Sequence, residues 1–170
     1  VTESSELASA DSGGAPTLGL LIALIVLMIT FGSLVAAGLP LITALIGLGV
    51  SECGIYAATR FVSLTDVAPS LATLLALAVG IDYALFIIDR HRRHLKAGLT
   101  VPESIPLAVG TAGSAVFFAG ATVIIALAGL TVMRIGFLTQ MGVSAAVAVL
   151  VAILISVTIT PALLAVAGPR

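Results

Sequence analysis

Apolar residues run along this chain in blocks too long for one face of a soluble helix. About 20 largely apolar residues in an α-helix cross the hydrocarbon core of a bilayer with every backbone group paired internally. Five blocks reach that length, at about 17–37, 41–59, 70–88, 101–132 and 137–160. The first carries no charge, and Gly38-Leu39-Pro40 reads as a tight turn into the second. A loop containing Asp66 and Pro69 leads to the third, which runs through Ile88 straight into the polar stretch from Asp89 to Lys96. Thr100-Val101-Pro102-Glu103 has the form of a capping box opening the fourth helix, whose first turns Pro106 should kink. Pro161 and then Gly168-Pro169 close the fifth. The pattern predicts an all-α integral membrane protein, a bundle of five transmembrane helices over 17–168 behind a polar tail at 1–16.

Composition agrees and removes other classes. With 60% hydrophobic and 9% charged residues and a mean hydropathy of +1.29, the chain is not a soluble domain. Seven Lys and Arg against eight Asp and Glu leave a net charge of -1, which offers no nucleic-acid footprint. The single cysteine, Cys53, cannot close an internal disulfide. His91 and His94 have the spacing of a weak metal pair, but the surrounding arginines repel a cation, so both read as solvated loop histidines. No metal and no cofactor are expected.

Charge sets the orientation. Lys and Arg of short loops are retained on the cytoplasmic side. Placing the 89–100 loop there puts Arg90, Arg92, Arg93, Lys96 and the C-terminal Arg170 inside as topology anchors, with only Arg60 and Arg134 outside. Arg134 then serves as a headgroup anchor. The tail, with Glu3, Glu6 and Asp11, lies outside and lacks the basic start of a signal peptide. These features, with Val1 in place of a Met, suggest a fragment of a longer chain. Small residues one turn apart, Gly47 and Ser51, Gly110 and Ser114, Gly142 and Ala146, are candidate close contacts between helices.

Two acids stand inside predicted spans. A central Asp costs roughly 2.5–3.5 kcal/mol on insertion, so it should face the bundle interior or a wet cavity and marks an ion or proton path by default. Asp82 lies twelve residues past Ser70, about 18 Å along the helix and close to mid-membrane. Desolvation disfavours the charged form of any carboxyl, so an acid that meets water in one conformation and apolar groups in another takes up and releases a proton. Moving one charge through 100 mV is worth about 2.3 kcal/mol. Tyr83 adds a phenol that can donate or relay, and Gly80 leaves room for a neighbour. The alternative for Asp82 is a permanently protonated carboxyl that glues helices together. Asp82, Phe86 and Asp89 share one face, so Asp89 either passes a proton to the cytoplasm or simply pairs with Arg92 or Arg93. Glu52, nearer the outer end, either snorkels, pairs with Tyr56 one turn on, or acts as an accessory titratable group. No base stands with a nucleophile at equal depth, so an enzyme is not expected.

The run Ala78-Val79-Gly80-Ile81-Asp82-Tyr83-Ala84-Leu85-Phe86-Ile87-Ile88-Asp89-Arg90-His91-Arg92 closely resembles the signature of the MMPL family of transporters, in the resistance-nodulation-division superfamily. Phe31-Gly32-Ser33-Leu34, Thr111-Ala112-Gly113 and Thr160-Pro161-Ala162-Leu163-Leu164 are similar to the same family in order, and the likeness covers Leu18 to Gly168. The resemblance implies helices two to six of one transporter half, with Asp82 and Tyr83 at the positions of the family's proton relay. It also implies export of lipids or other hydrophobic compounds across a bacterial inner membrane, driven by the proton-motive force. The partners it implies are the bilayer, protons, a hydrophobic substrate, and a second transporter half or a homodimer partner. Glu52 departs from the family pattern, where a small or apolar residue is expected. The competing class is a non-transporting lipid-sensing or assembly module of sterol-sensing type.

Overall fold

A computed structural model describes residues 17–30, 32, 34–58 and 67–168, and these are helical almost throughout, with no strand among them. Helix α1 is Thr17–Thr30, α2 is Leu34–Ala58, α3 is Val67–Lys96 and α4 is Val101–Ala108. A π turn, Val109–Gly113, joins α4 to α5, Ser114–Gly129; the 3-10 turn Leu130–Met133 follows, and α6 is Gly136–Ala167. Four stretches are long and apolar enough to cross a membrane: Ala36–Gly54, Pro69–Lys96, Val101–Met133 and Gly136–Ala167. The chain is a multi-pass membrane protein. The N-terminal tail, Arg60, Asp66 and Arg170 lie outside the described residues.

Several boundaries differ from the sequence expectation, for related reasons. Gly38-Leu39-Pro40 does not turn the chain: Pro40 lies inside α2, and the break falls earlier, at Gly32, whose φ is +63°. Likewise Pro161 does not end the last helix, which continues to Ala167 and stops at Gly168, φ +67°. Opening a helix in lipid leaves backbone groups with nothing to bond, so a proline that costs one hydrogen bond is carried within the helix. Placing the break at Gly32 shortens the first helix to 17–30, about 21 Å against a core of about 30 Å. Downstream of Pro106 the helix likewise continues, and the irregularity takes the form of the π turn.

The predicted 89–100 loop is mostly helix. α3 runs on to Lys96 with Arg93, His94 and Lys96 in its last turn, where cations complement the negative end of the helix. Gly98, φ +94°, terminates it, and the amides of Ala97, Gly98 and Leu99 bond back to the carbonyls of Arg93, Leu95 and His94 at 3.0–3.2 Å. His91 is consequently no solvated loop residue. It is 2% exposed, and its Nδ1 lies 2.9 Å from the Ser104 hydroxyl on α4. His94 is half-buried, with a buried Nε2 that has no hydrogen-bond partner among the described residues. At the start of α4, the backbone N–H and hydroxyl of Thr100 both donate to Glu103 Oε2, at 3.0 and 2.7 Å.

The core is built largely of alanine: Ala36, Ala37, Ala44, Ala72, Ala76, Ala84, Ala145, Ala148 and Ala152 are all buried. Small side chains let helices approach closely, and dispersion at short range replaces the hydrophobic drive that lipid does not supply. α3 packs against α2 and α6, and α6 also packs against α5. Gly80 of α3 backs directly onto Ala44 of α2, where an added Cβ would lie 3.4 Å from Ala44 Cα. Of the small-residue pairs, Gly47 faces Ile155 and Gly142 faces the Leu127 carbonyl, whereas Gly110 has open space beside it. Arg134 is exposed in the turn before α6, with φ 53°.

Candidate functional site

Asp82 is the sixteenth residue of the 30-residue α3, so its backbone lies near the middle of the helix. The residues about half a turn to either side of that level on the inner face, Gly80 and Ala84, are buried against the bundle. Asp82 is rotated about 200° from Gly80 and is exposed. The expectation that it faces the interior of these five helices is therefore not met: it stands on the outer face of α3. A helix that is apolar nearly all round has no polar side to fix its rotation, so small residues at 72, 76, 80 and 84 decide which face goes inward.

Two grooves meet at this carboxyl. One, of about 230 Å³, is lined by Asp82, Tyr83 and Phe86 of α3 with Ala115, Val116 and Ala119 of α5. The other, of about 430 Å³, follows α3 from Asp82 past Leu85, Phe86 and Asp89 to Arg92, Arg93 and Lys96, with Thr30 of α1 on its far wall. The structure thus places Asp82, Asp89 and the basic cluster along one groove. Asp89 accepts from Arg93 Nε at 2.8 Å, an exposed ion pair one turn long, so its pairing alternative is realised. Arg90 leaves the groove and donates from Nε to the Thr111 hydroxyl in the π turn, at 3.3 Å.

Tyr83 is half-buried and turns toward α5 and α6. Its hydroxyl reaches the backbone of Gly120: a Cβ built on that glycine would lie 3.3 Å from the phenol oxygen, and only 2.2 Å from Ile153 Cδ1. Gly120 thus holds open the space shared by the phenol and Ile153. Glu52 lies elsewhere, on α2, half-buried and accepting from the Thr73 hydroxyl of α3. No group of three or more His, Cys, Asp or Glu capable of holding a metal occurs among the described residues.

The sequence profile of the MMPL family matches residues 1–170. The chain belongs to the MMPL family. Among curated proteins it is 54% identical to the membrane protein YdfJ of Bacillus subtilis over 158 residues, 93% of this chain and 22% of that protein. It is 37% identical to the mycolic acid-containing lipids exporter MmpL11 of Mycolicibacterium smegmatis, over 96% of this chain and 17% of that protein. It is 28% identical to the trehalose monomycolate exporter MmpL3 of Mycobacterium tuberculosis, over 93% of this chain and 17% of that protein. The chain therefore spans about a fifth of the length of these MMPL relatives.

Three features of this MMPL segment escaped sequence reasoning: Gly120 beside Tyr83, Ser104 beside His91, and Thr73 beside Glu52. Each joins residues 13 or more positions apart on different helices, and an alanine- and glycine-rich chain gives no period that singles them out. A helical glycine in an otherwise bulky run, Phe117-Phe118-Ala119-Gly120, was the one available signal for the first.

Proposed function

We propose that the chain forms the helices two to six of one half of a proton-driven exporter of lipids or other hydrophobic compounds in the bacterial inner membrane. One observation carries this reading: a carboxyl at mid-helix stands exposed between the apolar side chains of Ala78 and Phe86, beside a phenol. A charge left against lipid at that depth is costly. The face is therefore suited to be covered by a further element, the second transporter half or a second copy, which closes the two grooves around Asp82. In that closed site the carboxyl is neutral when water is excluded and ionised when the groove along Phe86 and Asp89 opens to it. Tyr83 donates to the ionised form. A change in helix packing between those two states is what proton flow would drive.

The basic end of α3 supports an orientation with Arg90, Arg92, Arg93 and Lys96 cytoplasmic and the Glu52 end of α2 toward the opposite side. The exporters of mycolic acid-containing lipids and of trehalose monomycolate among the relatives support a lipid cargo. The test is Asp82→Asn in the full-length protein. Export driven by a proton gradient falls to background while the protein is still made and inserted; export equal to the parent's overturns the reading.

A further inference from the structure

A second acid is held between α2 and α3 at the end of the bundle remote from the basic cluster. Glu52 lies two residues before the end of the span Ala36–Gly54, and its Oε1 receives the Thr73 hydroxyl. The same hydroxyl lies 2.8 Å from the Pro69 carbonyl, one turn back on α3. A hydroxyl has one proton and two lone pairs, so it makes one full-strength donation, or two weaker shared ones. Both contacts reach full strength only when Glu52 carries a proton: its O–H donates to Thr73 Oγ1, and Thr73 donates to Pro69 O. When Glu52 loses that proton to water, Thr73 Oγ–H turns to the carboxylate, and the Pro69 carbonyl gives up its side-chain donor.

We propose that Glu52, Thr73 and the Pro69 carbonyl form a second proton-binding site, in which Thr73 bridges α3 to α2 in either state and proton occupancy decides whether it also ties the first turn of α3. The site has access to exchange: a groove of about 540 Å³ lined by Glu52, Cys53, Tyr56 and Ala57 opens beside the carboxyl. Among the described residues its electrostatic surroundings are simple. Cys53 and Tyr56 are the titratable neighbours on α2, α6 carries no ionisable side chain, and the nearest acid on the described part of α3 is Asp82, nine residues on, about 13–14 Å along the axis.

The interior between the two acids is not wholly apolar. Gly47 faces Ile155 and Ala44 faces Gly80, which aligns the levels of α2, α3 and α6. At 1.5 Å per residue, Ser51 stands about 6 Å from the Gly47 level on the Glu52 side, Ser156 close to that level, and Thr160 about 7 Å beyond it, near the level of Asp82. The hydroxyls of all three are buried without a hydrogen-bond partner among the described residues. Buried hydroxyls are ordinarily satisfied by protein or water, so these three are polar stations inside the bundle, at levels running from that of the second site toward that of the first. The part of this site in transport rests on the relay reading above; its existence does not.

Infrared difference spectra of the full-length protein, parent minus Glu52→Gln, from acid to alkaline buffer, isolate the ionisation of this carboxyl. The expected result is one titration step that Glu52→Gln lacks. Thr73→Val, which keeps the shape and removes the hydroxyl, moves its midpoint by about half a pH unit or more, the scale of one hydrogen bond. Thr73→Ser keeps the parent's midpoint. A carboxyl locked in one state wherever the protein stays folded overturns the proposal, as does a Thr73→Val midpoint equal to the parent's. A midpoint that moves with sodium concentration at constant ionic strength overturns it too, since the same oxygens would then be holding a cation. Export is not the readout, so an Asp82→Asn variant that exports normally overturns the relay reading and leaves this test standing.

Discussion

The two long faces of α3 differ in kind. Toward α2, α4 and α6 the helix presents Ala72, Ala76, Gly80, Ala84, Ile87, Ile88 and His91, all buried. On the other side Ala78, Asp82, Phe86, Arg90 and Arg93 are exposed. The inner face spends its one titratable group on a bond within the chain, His91 to Ser104. The outer face carries a mid-depth carboxyl for which the described residues supply no hydrogen bond or ion pair in the structure. The difference teaches that the inner stripe builds the bundle, whereas the outer stripe is left uncovered by the described helices.

The largest effect separating the faces is on transport. On the proposed relay, Asp82→Asn should remove proton-driven export in the full-length protein and Tyr83→Phe should lower it less, because the phenol would support the carboxylate without being the carrier. A flux assay at a fixed proton gradient, normalised to inserted protein, reads both. If Tyr83→Phe is the more damaging, the roles assigned to the pair are reversed.

Overpacking the inner seams comes next. Gly142→Ala would place a Cβ 2.5 Å from the Leu127 carbonyl oxygen, a backbone atom, and should cost about 1–3 kcal/mol of stability. Gly120→Ala meets Ile153 Cδ1 at 2.2 Å and costs a similar amount, but here a flexible side chain is the obstacle. Ile153→Ala in the same chain should therefore restore thermal stability in detergent while export stays depressed, because the phenol of Tyr83 is still displaced. Recovery of both would reduce Gly120 to a packing residue.

Smaller again is the loss at the α3–α4 corner. His91→Ala leaves the Ser104 hydroxyl only the Val101 carbonyl, 3.0 Å away, and opens a hole in a site that is 2% exposed. A loss of about 1–3 kcal/mol is expected, visible as a lower melting temperature. The smallest effect belongs to the outer face: Arg93→Gln breaks an exposed ion pair with Asp89 worth about 0–1 kcal/mol. A large loss there would mean that Arg93 is covered in the assembled protein and holds more than Asp89.

Much of this molecule was legible in its residue order. The positions of the long apolar blocks, the acid at mid-depth and the basic end of its helix all follow from transfer energies that depend on local composition. Turn signals transferred less well. Gly38-Leu39-Pro40 and Pro161 end helices in water, where freed carbonyls find solvent, and are absorbed within helices here. The run from Asp89 to Lys96 looked like a loop because it is charged, yet nothing in it breaks a helix before Gly98.

The sequence by itself determined that the chain crosses a membrane several times and that Asp82 lies near the middle of one crossing, because hydropathy and helical rise are properties of neighbours along the chain. Only the tertiary structure decided that this carboxyl faces outward, that Tyr83 rests on Gly120, that His91 is sealed against Ser104 and that Glu52 meets Thr73. Those outcomes depend on how each helix is rotated about its axis. In a helix apolar on every side, rotation is set by the fit of small residues on other helices, and that fit is not written in any one segment.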